Sequence, residues 1–418
     1  MGRRRRHDQL RGRDQAWCTG PARLRRGGRV SPANRGLIGL GVGLAAAGVA
    51  TAAGVAAGRV NRDRVARYAA LAPEGVYAVV PGKELVVVAD DGTPLHVEVD
   101  EPTGGADPGK PTIVFSHGYT LSLRSWVLQR KALVEAGYRV VLWDQRSHGE
   151  SERAPADTAT IDQLGRDLHS VIDEVAPEGP LVLVGHSMGG MTMMSLAEQF
   201  PELVRDRVVA AAFVATSAGG QNMVTLGFGQ FLGRLLGRLG PRFLARLGTR
   251  QQLVDTARRV GRDIEDLIVD HYSFASPVSR NTIRYTADMI MGTPLAVMSE
   301  FLPSINVHDK RAALKQFNGV ETLVLNGSGD LLTPPDHSEA IVQIVPGAEH
   351  VVVEEAGHII MLEHPDVVNE QLLSLVERAE RAAAEGIAVS RKPRVRRTVT
   401  DLAKRREVAK ARKSRRRG

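Results

Sequence analysis

The residues best suited to chemistry lie in Val184-Gly185-His186-Ser187-Met188-Gly189-Gly190, a G-x-S-x-G sequence between an apolar run and a helical pattern. A serine at such a strand-to-helix turn occupies a strained backbone. Glycines two residues before and after it let strand and helix approach where a β-carbon would collide. Ser187 would then stand at the positive end of the helix dipole, and the Met188 N–H would face a developing oxyanion. Acyl transfer through Ser187 is the chemistry this spacing predicts.

A serine hydroxyl attacks a carbonyl only when a base takes its proton and a carboxylate orients that base. Among the 12 histidines, His358 follows the last strand-like run in Glu355-Ala356-Gly357-His358, at the sheet edge where α/β proteins assemble their sites. His186 cannot easily turn back toward Ser187 and reads as a packing or hydrogen-bonding neighbour; His364, before Pro365, reads as a helix-start residue. Asp330 in Gly327-Ser328-Gly329-Asp330 ends the preceding strand-like run, giving the chain order Ser187, Asp330, His358 expected of this triad. Its competing reading is a turn or cap aspartate ahead of Pro334-Pro335. Asp144 is the rival acid, but it precedes the nucleophile and is better suited to holding the Arg146–Ser151 loop. A second oxyanion donor is expected after the 112–116 run: Gly118 allows close approach, and the Tyr119 N–H would pair with that of Met188. A plain strand-ending turn is the alternative for His117-Gly118.

These residues need a rigid frame. Glu84–Ala89 and Leu95–Val99 flank Asp90-Asp91-Gly92, a hairpin pattern. Continuous apolar runs follow at Thr112–Ser116, Arg139–Trp143, Leu181–Gly185, Val208–Ala215, Thr322–Asn326 and His350–Val353. Such runs suit strands buried on both faces. Helical patterns lie at Ser125–Ala136, Ile161–Val175, Met188–Phe200, Pro335–Ile344 and Pro365–Ala384. The alternation predicts a doubly wound, mostly parallel α/β domain (84–215 and 321–385) behind an antiparallel hairpin. The roughly 105 residues between Ala215 and Thr322 exceed any compact loop and predict a helical cap over 216–320. Within it, Leu232–Leu247 alternates leucines and arginines around Gly240-Pro241, as two amphipathic helices would. A lid face is the leading reading and a membrane-surface helix the alternative.

With these motifs in order, the chain resembles the α/β-hydrolase superfamily over roughly Leu85–Glu377. The resemblance rests on His117-Gly118, Asp144-Gln145-Arg146-Ser147-His148-Gly149-Glu150-Ser151, Gly185–Gly190, Gly329-Asp330 and Gly357-His358. It implies a serine hydrolase with an acyl-enzyme intermediate, a helical cap over the acyl pocket, and no metal or organic cofactor. The family usually has glycine where Ser147 stands. Ser187 argues against the epoxide-hydrolase and haloalkane-dehalogenase branches, whose nucleophile is aspartate. Hydrophobic carboxylic esters, such as lipid esters, are the implied substrates. The alternatives are a cofactor-free haloperoxidase, an acyltransferase or a non-catalytic binding protein of the same fold.

Charge is divided unevenly along the 418 residues: 1–67 and 391–418 each carry +12, and the body between them carries −16. Cys18 is the only cysteine, which excludes an intramolecular disulfide framework and a cysteine zinc site. Residues 1–35 read as a basic disordered arm, 59–83 as a linker, and 386–418 as a basic disordered tail. The tail has no aromatic residue for base stacking, so specific nucleic-acid binding is not expected. Residues 36–58 carry no charge and as a helix would span about 34 Å, enough for a bilayer. With 11 arginines before them, they predict a single-pass membrane anchor with the catalytic region outside the cytoplasm. A cleaved signal, giving a secreted protein, and a buried helix in a cytoplasmic protein are the alternatives.

Overall fold

The computed structural model describes residues 75–220, 266–389, 392–394 and 396–414. A nine-stranded sheet runs through them in the order β1-β2-β4-β3-β5-β6-β7-β8-β9. β1 (Lys83–Val88) and β2 (Pro94–Asp100) form the antiparallel hairpin, and β2 pairs antiparallel with β4 (Val140–Trp143). From β4 onward the pairing is parallel, through β3 (Thr112–Ser116), β5 (Leu181–His186), β6 (Val208–Val214), β7 (Glu321–Gly327), β8 (Glu349–Val353) and β9 (Arg397–Val399).

Every residue of β4, β5 and β7 is buried, because helices cover both faces of the parallel part. Successive side chains alternate between two cores. Ile113 and Phe115 join α1 (Val127–Glu135) and α9 (Pro365–Glu385) on one face. Val114 joins α2 (Ile161–Val175), α3 (Met188–Gln199) and α7 (Pro335–Ile344) on the other. A short helix, α4 (Pro201–Arg207), links α3 to β6. The order reverses between β3 and β5, so the loops leaving these two strands border the crevice where such sheets bind ligands.

The chain leaves the sheet after β6 and returns to β7 through α5 (Arg280–Gly292) and α6 (Leu295–Val307). Val297, Phe301 and Ile305 of α6 pack on Ile161, Leu164, Met188 and Met191, so this element covers the start of α3. The leucine- and arginine-rich 232–247 stretch lies outside the described residues, as do the basic arm, the 36–58 segment and most of the 59–83 linker.

Two expectations require correction. Among the described residues no helix is long and apolar enough to cross a membrane. The expectation of a single-pass membrane protein rested on 36–58 alone, a weakly apolar stretch of eight alanines and seven glycines. The C-terminal tail is not disordered throughout: it forms β9 and α10 (Leu402–Ser414). Its charge is the reason, since basic side chains pair with the acidic body. Arg394 meets Glu321 at 2.9 Å, Arg397 pairs with Glu349, and Arg405 reaches Glu354 at 3.1 Å and Glu355 at 3.2 Å.

Candidate active site

Ser187 stands between β5 and α3 with φ 50° and ψ −116°. For a residue with a β-carbon this geometry costs about 1–3 kcal/mol, and surrounding contacts must hold it. The Ser187 N–H donates to the Val214 carbonyl at 3.0 Å, and the Thr216 hydroxyl donates to the Ser187 carbonyl at 2.6 Å. Close backbone approach does the rest. A β-carbon on Gly185 would lie 2.5 Å from the Gly189 carbonyl oxygen, and one on Gly189 would lie 2.2 Å from that of Ser116. Met188 is the first residue of α3, so its N–H has no partner within the helix.

Asp330 and His358 come from the loops after β7 and β8. His358 Nδ1 lies 2.9 Å from Asp330 Oδ2, and both residues are buried. The same carboxylate accepts the Leu332 N–H at 2.8 Å, the Thr333 N–H at 2.9 Å and the Thr333 hydroxyl at 2.8 Å. Burial opposes the charge on Asp330, but His358 and these donors outweigh it and hold the carboxyl below its ordinary range. The competing turn role of Asp330 is therefore combined with histidine pairing in one side chain. Sequence reasoning missed Thr333, whose signal was its place three residues after Asp330, where a threonine donates back to an aspartate.

The loop after β3 reaches the same place. A β-carbon on Gly118 would lie 2.5 Å from His186 Nδ1 and 3.3 Å from Ser187 Cβ, which leaves room there only for glycine. His117 Nδ1–H donates to the Gly118 carbonyl at 2.8 Å, and its Nε2 accepts the Gln145 N–H at 2.9 Å. One nitrogen donates and the other accepts, so the ring is neutral. Burial, with His148 and His186 nearby, pushes His117 well below the usual histidine range. The Tyr119 hydroxyl donates to the Met298 carbonyl, tying this loop to α6. His186 Nε2 donates to the His358 carbonyl at 2.9 Å, and the two rings lie 4.8 Å apart, joining the elbow to the histidine loop.

Asp144 holds loops, accepting the Leu123 N–H at 2.7 Å and the Glu150 N–H at 2.9 Å. Burial pushes its carboxyl up to about 6. Ser147 has φ 63°, the left-handed conformation that explains a preference for glycine there. His364 precedes α9 and also contacts Asp401, at 3.0 Å from Nδ1 to Oδ2. Among the described residues no group of three His, Cys, Asp or Glu side chains is placed to hold a metal ion.

Residues 111–365 match the family model described as alpha/beta hydrolase fold. The chain belongs to the α/β-hydrolase fold family. The match contains the elbow, Asp330 and His358, and ends at the first residue of α9. A mouse (Mus musculus) sn-1-specific diacylglycerol lipase is 27% identical over 267 residues, 62% of this chain and 78% of the lipase. The dihydrolipoyllysine-residue acetyltransferase component of an acetoin cleaving system from Pseudomonas putida is 26% identical over 66% of this chain and 65% of its own length. Epoxide hydrolase A of Mycobacterium tuberculosis is 37% identical, over only 27% of this chain and 34% of its own. Among solved structures, a thermophilic esterase from Thermogutta terrifontis superposes with TM-score 0.55 at 21% identity, over 72% of this chain and all of that one. At that identity the likeness concerns this α/β-hydrolase's fold alone.

Proposed function

We propose that this α/β-hydrolase cleaves carboxylic esters with hydrophobic acyl groups through an acyl-enzyme on Ser187. The observation that carries the reading is the 2.9 Å His358–Asp330 pair, joined through His186 to a strained serine at a helix start. In this mechanism His358 takes the Ser187 proton as the oxygen attacks the ester carbonyl. Asp330 stabilises the imidazolium, and the Tyr119 and Met188 N–H groups hold the tetrahedral oxyanion. The imidazolium returns the proton to the leaving alcohol. His358 then deprotonates a water, whose attack on the acyl carbonyl frees Ser187 and releases the acid.

The diacylglycerol lipase relative supports lipid esters as substrates. An oxygen nucleophile on serine rather than aspartate separates Ser187 from epoxide opening. Turnover of p-nitrophenyl esters of increasing chain length, parent against Ser187→Ala, tests the proposal. Activity should rise with chain length and fall by about 10³-fold or more in the variant; unchanged turnover in Ser187→Ala would refute it. The acetyltransferase relative makes acyl transfer the second reading. Product analysis with water and alcohol as competing acceptors separates the two.

A further inference from the structure

The basic C-terminus lies beyond the 111–365 family match, yet it meets the His358 loop at several points. β9 pairs with β8 in parallel register, Val353 opposite Val399, and the Glu354 N–H donates to the Val399 carbonyl at 2.9 Å. The chain then turns at Asp401, whose carboxylate has two tasks. Oδ1 accepts the Lys404 N–H at 2.8 Å and caps α10, while Oδ2 meets His364 Nδ1 at 3.0 Å. The other ring nitrogen of His364 faces the Glu355 carbonyl at 3.3 Å.

Lys404 Nζ donates to the Glu363 carbonyl at 2.6 Å, at the end of α8 (Ile360–Glu363). The Glu363 carboxylate, in turn, accepts the N–H of Gly357, the residue before His358, and the Ser276 hydroxyl at 2.7 Å. Glu355 has φ 56°, a left-handed conformation that needs outside support, and its side chain pairs with Arg405 of α10 at 3.2 Å. The loop 355–359 is thus held at its strained start through His364 and Arg405, and at Gly357 through Glu363.

We infer that Arg397–Arg405 is a strap that keeps the His358 loop in catalytic geometry, with Asp401 and Lys404 as positioning residues. The inference rests on His358 being the general base. Burial lowers the Lys404 amine to about 8 even with Glu363, Asp401, Glu355 and Glu407 around it, as fits a group seated in the body rather than in solvent.

Asp401→Asn, Lys404→Met and Lys404→Arg in the full chain, with exposed Arg412→Ala as control, test the strap by two readouts. For p-nitrophenyl butyrate, kcat should fall about tenfold in Asp401→Asn and Lys404→Met with KM within about twofold, because the defect lies in the base rather than in substrate binding. Lys404→Arg should recover most of the loss, and Arg412→Ala should match the parent. Hydrogen exchange of peptides covering 355–364 should accelerate in the first two variants while those covering β3 to β6 stay unchanged. Lys404→Met leaves the cap of α10 intact and carries the test if Asp401→Asn does not fold. Parent-like kcat in both variants, with or without faster exchange, would overturn the positioning role. A parent that neither turns over esters nor labels at Ser187 would instead refute the hydrolase reading, and the exchange data would still decide whether the strap holds the loop.

Discussion

The two ends of the candidate triad are built differently. At the Ser187 end, Gly185–Gly190 is one unbroken stretch, and most of what holds it is backbone: the Val214 and Ser116 carbonyls and the β5–α3 crossing itself. At the His358 end, side chains from Ser276, Asp330, Thr333, Glu363 and, beyond the family match, Asp401 converge from four parts of the chain. A nucleophile set by close backbone approach has no graded failures. A base set by side-chain hydrogen bonds can be loosened one bond at a time.

That contrast sets the order of expected effects. Gly185→Val puts a side chain where the Gly189 backbone sits, at 2.5–2.6 Å from the β-carbon position, and nothing nearby is a flexible side chain that can yield. It should abolish ester turnover and reduce soluble, cooperatively melting protein; near-parental activity would mean the elbow is not fixed by backbone contact. Asp330→Asn keeps the shape but removes the charge, and should lower kcat by about 10²–10⁴-fold in folded protein. Thr333→Val removes one donor and leaves the two N–H bonds to Asp330, so a loss of about three- to tenfold is expected. Equal losses in these two variants would break the picture of a graded histidine end.

The smallest effect is on stability against pH. Burial lowers His186 to about 3 and His148 and His308 to about 4, from an ordinary 6.5. Between those values the unfolded chain binds protons that the native chain does not, so stability falls as pH drops below about 6.5. Asp144, raised to about 6, and Asp167, also raised by burial, work in the opposite direction below that pH, but His117 and His350, lowered by burial as well, add to the histidine side. Tm measured from pH 7 to pH 4.5 should therefore decline; a rise would mean these histidines are protonated in the native state.

Much of this was legible in the sequence because its causes are local. Thr112–Ser116, Ile161–Val175 and Pro335–Ile344 were readable to the residue as β3, α2 and α7, since apolar runs and helix periodicity mark buried strands and one-sided helices. The places of Ser187 after β5, Asp330 after β7 and His358 after β8 were readable from motif, strand ends and chain order. β9 and α10 were not, because Arg397-Thr398-Val399 has too little apolar character to announce a strand. What orders it is ion pairing to Glu321 and Glu349, residues tens of positions away. Glu363 was hidden for the same reason: its partner Ser276 lies 87 positions away and only the fold brings it near.

The most direct test of the central claim is covalent labelling by a fluorophosphonate, followed by peptide mass mapping. The account predicts one stoichiometric adduct on Ser187 in the parent, none in Ser187→Ala, and labelling slowed by about 10³-fold in His358→Ala. A parent that stays unlabelled, or an adduct on another residue, would contradict it.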